Sequence, residues 1–177
     1  MSTGDDTTQS PGQSPGFFLG IVQKITMTRT GSWIYGRVVP PIDRVLMVKT
    51  KGKMSLSPGD TGGTGGLALL TTTGAKSGKE RHTPLGYARD GDAIVIIASN
   101  AAHERNPSWY FNIKANPEVM LTLRGGHQGD YRAEEVPQGE ERERLWKVAC
   151  EMYPGFADYQ TRADRLIPLI HCTPVVK

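Results

Sequence analysis

Three strand-like runs crowd into residues 67–99: LALLTTT, RHTPLGYAR and DAIVIIAS. β-Branched and apolar residues dominate them, and turn residues separate them. Asp90-Gly91 is a tight-hairpin signal, so the last two runs fold back on each other. Connections this short exclude the helical crossovers that parallel strands require. Antiparallel β structure is therefore imposed on this part of the chain. Pro84 lacks the N–H of a ladder residue and predicts an edge position or a bulge in the second run.

The remaining pattern places helices around further hairpins. Asn106-Pro107 reads as a helix start, with Asn106 as N-cap and Pro107 at the first helical position, and Asn116-Pro117 ends that helix. EVMLTLR and GDYRAEEV pair as another hairpin. Glu140, Glu141 and Glu143 open a helix with an inner face of Leu145, Ala149 and Met152. GFADYQTRAD is a second short helix and LIPLIHCTPVV a closing strand. Hairpin-linked strands with helices between them make an α+β domain around a small, mostly antiparallel barrel of about six strands.

The 177 residues suffice for one such domain. Residues 1–16 hold almost nothing to bury and read as a disordered tail. Residues 17–52 form an apolar and basic segment: Phe17, Phe18, Ile21, Ile25 and Thr28 keep rough helical spacing, and IDRVLMVKTKG predicts a short helix. SPGDTGGTGG is a linker, since no strand precedes it and no helix follows. The folded domain is expected over residues 53–177.

Charge is distributed unevenly. Residues 17–89 hold eleven Lys or Arg and three acids, whereas residues 90–177 hold ten basic and thirteen acidic side chains. A basic half implies an anionic partner: phosphate groups, a membrane surface or nucleic acid. No nucleic-acid module accompanies the charge, so no nucleic-acid partner is expected. The segment 17–40 has the composition of a surface helix that touches anionic lipid, with packing on its own domain as the alternative. Cys150 and Cys172 form no Cys-x-x-Cys motif, and no secretory signal precedes the domain, so a reducing cytoplasm is expected, with or without contact at the inner membrane face. His82, His103, His127 and His171 make no close-spaced pair, so no metal site is expected.

Two segments are candidates for chemistry. GAKSGKER departs from a P-loop: three residues, not four, separate Gly74 from Gly78, and a strand follows. What it offers is a Gly-bounded turn with free backbone N–H groups, the Ser77 hydroxyl, and Lys76, Lys79 and Arg81. Such a turn suits an anion, and is equally an ordinary solvated loop. In IASNAAHERNPSWYFN, a strand end and a helix N-terminus converge, and Trp109 and Tyr110 supply flat surface for a ring; as core anchors Trp109 and Phe111 serve as well.

Taken together, LLTTTGAKSGKER, PLGY, DGDAIVIIAS, NPSWYFNIKANPEV and the run from Glu141 to Pro174 resemble the deazaflavin-dependent nitroreductase family of split β-barrel oxidoreductases. The resemblance implies coenzyme F-420, an 8-hydroxy-5-deazaflavin with a phosphodiester and an oligoglutamate tail. By resemblance, Lys76, Ser77 and Arg81 grip the phosphate and Lys79 meets the tail. The cofactor set further takes in Ala75, Thr83, Pro84, Leu85 and Gly86. Ile97, Ala98, Ser99 and Asn100 line the deazaflavin, and Ser108, Trp109, Tyr110 and Asn112 flank it. Tyr153, Phe156 and Tyr159 wall the acceptor, at i, i+3 and i+6 of a helical stretch. Tyr153, Tyr159 and Ser99 are the candidates to assist the reaction. The acceptor is expected to be a small molecule: a quinone, an activated alkene or a nitroaromatic. Phe156 and Gly86 stand where nitroimidazole-activating members carry Tyr and an aromatic, which counts against that activity. Alternatives are a noncatalytic deazaflavin carrier or sensor and a split-barrel enzyme using flavin mononucleotide. Nothing in the sequence sets the oligomeric state.

Overall fold

The computed structural model describes residues 64–123 and 126–175, with residues 42, 45–50 and 54 before them, all inside a compact unit of Val38–Lys177. The expected tail 1–16, and the expected surface segment up to residue 41, lie outside the described residues. Residues 45–49 are helical and end in a turn at Thr50, whose N–H and hydroxyl both donate to the Leu46 carbonyl. Met47 of this turn is fully buried.

Six strands close a barrel: β1 (Gly65–Thr73), β2 (Glu80–Asp90), β3 (Ala93–Ile97), β4 (Glu118–Leu123), β5 (Gln128–Glu135) and β6 (Leu169–Pro174). Their order around the barrel is β1-β2-β3-β6-β5-β4, and every pairing is antiparallel. Three helices join them: α1 (Ser108–Ala115), α2 (Glu140–Met152) and α3 (Gly155–Arg162). The order of elements is the one the sequence predicts, although β1 starts two residues earlier, within the glycine-rich run.

Period-two alternation explains why DAIVIIAS is apolar throughout. Ile94 and Ile96 point into the barrel core with Leu70, Leu121, Trp109 and Ile170. Val95 and Ile97 point outward into a second core with Leu145, Ala149, Phe156 and Ile167. Both faces of β3 are thus buried, one by the barrel and one by α2 and α3. Leu145, fully buried, is worth about 1.5–3 kcal/mol of apolar burial at this second interface. Arg144 fastens the outer face of α2 to the barrel: it forks onto both carboxylate oxygens of Asp90 (2.7 and 2.8 Å) and bonds Glu141 as well.

The hairpin signal is realised one residue later than its first letter suggests. Asp90 pairs with Ala93, so Gly91-Asp92 forms the two-residue turn. Pro84 pairs with Leu69 of β1. The β2–β3 ladder begins only at Tyr87, so residues 80–86 of β2 have no strand on their other side among the described residues. The edge position predicted for Pro84 exists, therefore, inside a barrel that is otherwise closed. This unpaired stretch of β2 is where the cleft opens.

Candidate cofactor site

The turn between β1 and β2 is built tightly. The Gly74 N–H donates to Lys79 O (2.8 Å), and Ser77 and Gly78 N–H both donate to Gly74 O (3.2 and 2.8 Å). Lys79 N–H donates to Ser77 Oγ (3.3 Å) and Ala75 N–H to Asn112 Oδ1 (3.1 Å). A Cβ on residue 74 would lie 2.7 Å from Ser77 Oγ and displace it, and Gly78 has a left-handed φ of 63°, which favours glycine. This geometry corrects the expectation of free backbone N–H groups. Five amides of the turn are bonded internally or to Asn112, leaving the side chains and the Lys76 N–H as donors.

Those side chains are unsatisfied. Lys76, Lys79 and Arg81 are exposed, and none has an ion-pair partner among the described residues. A cleft of about 770 Å³ lies between this turn, the unpaired edge of β2 and α1. Lys76, Ser77, Arg81, Thr83, Ser108 and Asn112 all line it, with Ala75 beside them. None of its lining residues is an Asp or Glu.

Helix α1 begins at Ser108, with Pro107 in extended conformation as its cap and no side-chain cap bond. The expected Asn106 cap is not made; the Asn106 Oδ1 is buried without a partner among the described residues. Ser108, Phe111 and Asn112 share the face toward the cleft, as i, i+3, i+4 positions do. Asn112 is a brace, since its Nδ2 donates to Thr72 Oγ1 (3.0 Å) while its Oδ1 holds Ala75. Of the two aromatics read as alternative core anchors, one is in the core. Trp109 is 6% exposed in the barrel core, and Phe111, 52% exposed, presents its ring to the cleft. Tyr110 donates to Glu135 Oε2 (2.8 Å), and burial together with that carboxylate pushes its phenol up to about 12.

Sequence reasoning missed His82 and Phe111 as cleft residues. His82 Nδ1 lies 3.0 Å from Thr71 Oγ1, and Nε2 lies 3.0 Å from Glu80 Oε1. The helical spacing of Phe111 from Ser108 was the available signal. No comparable signal marked His82, which lies between Arg81 and Thr83 on a strand whose two faces both border the opening.

Not every expected residue reaches this cleft. Lys79 belongs to the turn but does not line it. Pro84, Leu85 and Gly86 are half-buried farther along β2, and Leu85 packs on the barrel core. Ile97 and Ala98 are buried. Ser99 and Asn100 follow the end of β3, where Asn100, Ala101 and Ala102 take left-handed φ values of 46°, 52° and 64°. Such backbone costs about 1–2 kcal/mol per residue for L side chains. Asn100 Nδ2 donates to Arg105 O (2.8 Å).

Tyr153, Phe156 and Tyr159 do come together, though not on one helix. Tyr153 caps α2, the chain turns at Pro154, and Phe156 and Tyr159 lie on α3. Ring centroids are 5.2 Å (Tyr153–Phe156), 6.2 Å (Tyr153–Tyr159) and 6.3 Å (Phe156–Tyr159) apart. Phe156 is 8% exposed and belongs to the outer core, whereas Tyr153 is 44% exposed. Burial, and then the Tyr159 hydroxyl, push the Tyr153 phenol up to about 12.

Residues 47–174 match the family of F420H(2)-dependent quinone reductases. The chain belongs to this family. It is an oxidoreductase that takes hydride from reduced coenzyme F-420 and passes it to a quinone. The F420H(2)-dependent quinone reductase Rv1261c of Mycobacterium tuberculosis is 41% identical over 106 residues, which are 59% of this chain and 71% of the relative. A solved F420-H2 dependent reductase, FDR-A, is 47% identical with a TM-score of 0.55, covering 60% of this chain and 92% of its own. A second solved chain, described as a domain-swapped dimer, is 39% identical with a TM-score of 0.58, covering 75% and 98%. These likenesses agree with the split-barrel architecture expected from the sequence.

The donor set of the cleft fits the quinone reductase's cofactor. Two unpaired cations and several hydroxyl or amide groups, with no carboxylate on the wall, suit a phosphodiester and further negative charge. Among the described residues no group of three or more His, Cys, Asp or Glu is placed to hold a metal ion. No described helix is long and apolar enough to cross a membrane.

Proposed function

We propose that Lys76 and Arg81 hold the phosphodiester of coenzyme F-420 in the cleft, with Ser77, Thr83 and Ser108 donating from their hydroxyls. The single observation that carries this reading is the pairing of two unpartnered cations with a cleft wall free of carboxylates. Lys79 stands at the rim of the turn, where it suits the oligoglutamate tail. Asn112 keeps the turn in register with α1 through Thr72 and Ala75. Phe111 offers its exposed ring as an apolar wall.

The deazaflavin supplies hydride chemistry when bound, because carbon replaces the central nitrogen of a flavin. The chain supplies position, a shielded surface and a proton. Ala98, Ser99 and Asn100 are proposed to border the ring system, and Tyr153 with Tyr159 to border the acceptor. A phenol that titrates only near 12 stays protonated at neutral pH and can donate to oxygen on the acceptor. Quinones fit this best, since their reduction places negative charge on an oxygen. Activated alkenes with a carbonyl, and nitroaromatics, present the same oxygen chemistry.

Turnover tests the reading against that of a passive carrier. Reduced coenzyme F-420 should be oxidised in the presence of the protein and menadione, and the rate should saturate in both. Binding of the coenzyme without any acceleration of menadione reduction would make the protein a carrier and remove Tyr153 and Tyr159 from any catalytic part.

A further inference from the structure

Arg165 lies in the link between α3 and β6. Its Nη2 donates to the carbonyls of Ala98 (3.1 Å) and Ser99 (3.0 Å), and its Nε donates to His103 O (3.1 Å). These three carbonyls bracket Asn100, Ala101 and Ala102, the three consecutive left-handed residues, none of them glycine. Local bonds from Ala102 N–H to Ser99 O (2.9 Å) and from His103 N–H to Asn100 O (3.0 Å) close the turn. Sequence preference opposes this conformation, since alanine has no side chain with which to support it. A strained segment persists only where its surroundings over-determine it, and such segments cluster at ligand sites.

Arg165 is itself held. Gln160 Nε2 donates to the Arg165 carbonyl (3.0 Å), and Gln160 Oε1 accepts from the Ile167 N–H (3.0 Å). Gln160 follows Tyr159 on α3. A continuous path of hydrogen bonds thus runs from the helix that carries Tyr159 to the strand end at Ala98–Asn100. Only a planar fork spans three carbonyls in this way; an ammonium brings the same charge without the geometry.

We propose that Arg165 is a positioning residue for hydride transfer: it holds the left-handed Asn100–Ala102 turn in place and ties it, through Gln160, to the helix on the acceptor side. The proposal rests on the reading that Ala98–Asn100 border the deazaflavin. Its effect is on alignment, so affinity, which depends on the phosphate grip of Lys76 and Arg81, is largely spared.

The test compares Arg165→Lys, Arg165→Met and Gln160→Ala with the parental full-length protein. Four quantities are read: the Kd for oxidised coenzyme F-420, the absorption band of the bound coenzyme, kcat with menadione at saturating reduced coenzyme, and Tm. Both Arg165 variants should lose roughly 10- to 100-fold in kcat, as misalignment of reacting groups does. The bound coenzyme's band should shift, while Kd stays within about threefold, or on the order of 0.6 kcal/mol. Gln160→Ala, which keeps the guanidinium, should change kcat and the band in the same direction by less. A folded Arg165→Lys with the parental kcat and band would overturn the proposal, as would a loss confined to Tm in all three variants. Should Arg165→Met fail to fold, Arg165→Lys and Gln160→Ala decide alone. Absence of coenzyme binding by the parental protein would overturn the cofactor reading and this proposal with it. Parental binding with unaltered variants would overturn this proposal only.

Discussion

Replacing Lys76 and Arg81 together by alanine should remove most of the affinity for coenzyme F-420. A hydrogen bond to a charged group is worth about 1.5–3 kcal/mol. Either replacement alone should therefore weaken binding by roughly 10- to 100-fold. The double variant should lose more than either single variant and less than the roughly 10²- to 10⁴-fold product of the single losses, because neighbouring cations that share one anion are not independent. Folding should be unaffected, since both side chains are exposed and hold no other group among the described residues. Fluorescence titration of the coenzyme reads the effect directly. A double variant that binds within about threefold of the parent, on the order of 0.6 kcal/mol, would reduce the turn to a solvated hairpin loop.

The second large effect should come from Tyr153→Phe. Tyr153 is the exposed member of the aromatic group, while Phe156 is core and the half-buried Tyr159 carries the Arg162 guanidinium 5.1 Å over its ring. Tyr153 is thus the more exposed of the two phenols, and its hydroxyl, hydrogen-bonded to that of Tyr159, is the one expected to meet an acceptor. Proton delivery by a placed side chain contributes typically 10²–10⁴-fold, so menadione turnover should fall by about 10²-fold or more. Coenzyme affinity should stay within about threefold, equivalent to roughly 0.6 kcal/mol. Tyr159→Phe should cost less, by removing only a neighbour of the donor. The pH dependence has a definite sign. The donor is the protonated phenol, and its pKa is raised to about 12, so its contribution is complete at neutral pH and declines only as pH rises toward 12. Parental turnover should show no alkaline fall from this group between about pH 7 and 10. Unchanged turnover in Tyr153→Phe would assign the proton to solvent and leave the ring a packing role.

Much of this architecture was legible in the sequence because local and global signals coincide. The short connection around Asp90-Gly91 demands antiparallel strands, and the unbroken apolar run of β3 demands cover on both faces. The cations of the β1–β2 turn were visible in the sequence, where Lys76, Lys79 and Arg81 meet a single acid, Glu80, which the structure places against His82. The barrel was expected, but which strands close it was not legible, since that rests on the β1–β4 and β3–β6 registers between distant segments. Nor was the fate of the turn's amides, one of which is bonded by Asn112, 37 residues away. Trp109 is the core anchor that one reading of the aromatics allowed, and Phe111, two positions on and so on the opposite side of α1, is exposed instead. The left-handed turn after β3 opposes the local preference of Ala101 and Ala102, though asparagine tolerates it. Its support comes from Arg165, more than sixty residues on.

The most direct measurement is a pair of equilibrium titrations, oxidised coenzyme F-420 against flavin mononucleotide, under identical salt and pH. The cleft's unpaired cations and carboxylate-free wall should favour the deazaflavin coenzyme, whose phosphodiester and glutamate tail carry the greater negative charge. Tighter binding of coenzyme F-420 is the expected result, and the preference should shrink in Lys76→Ala and Arg81→Ala. Equal or tighter binding of flavin mononucleotide would contradict the assignment of this cleft to the deazaflavin.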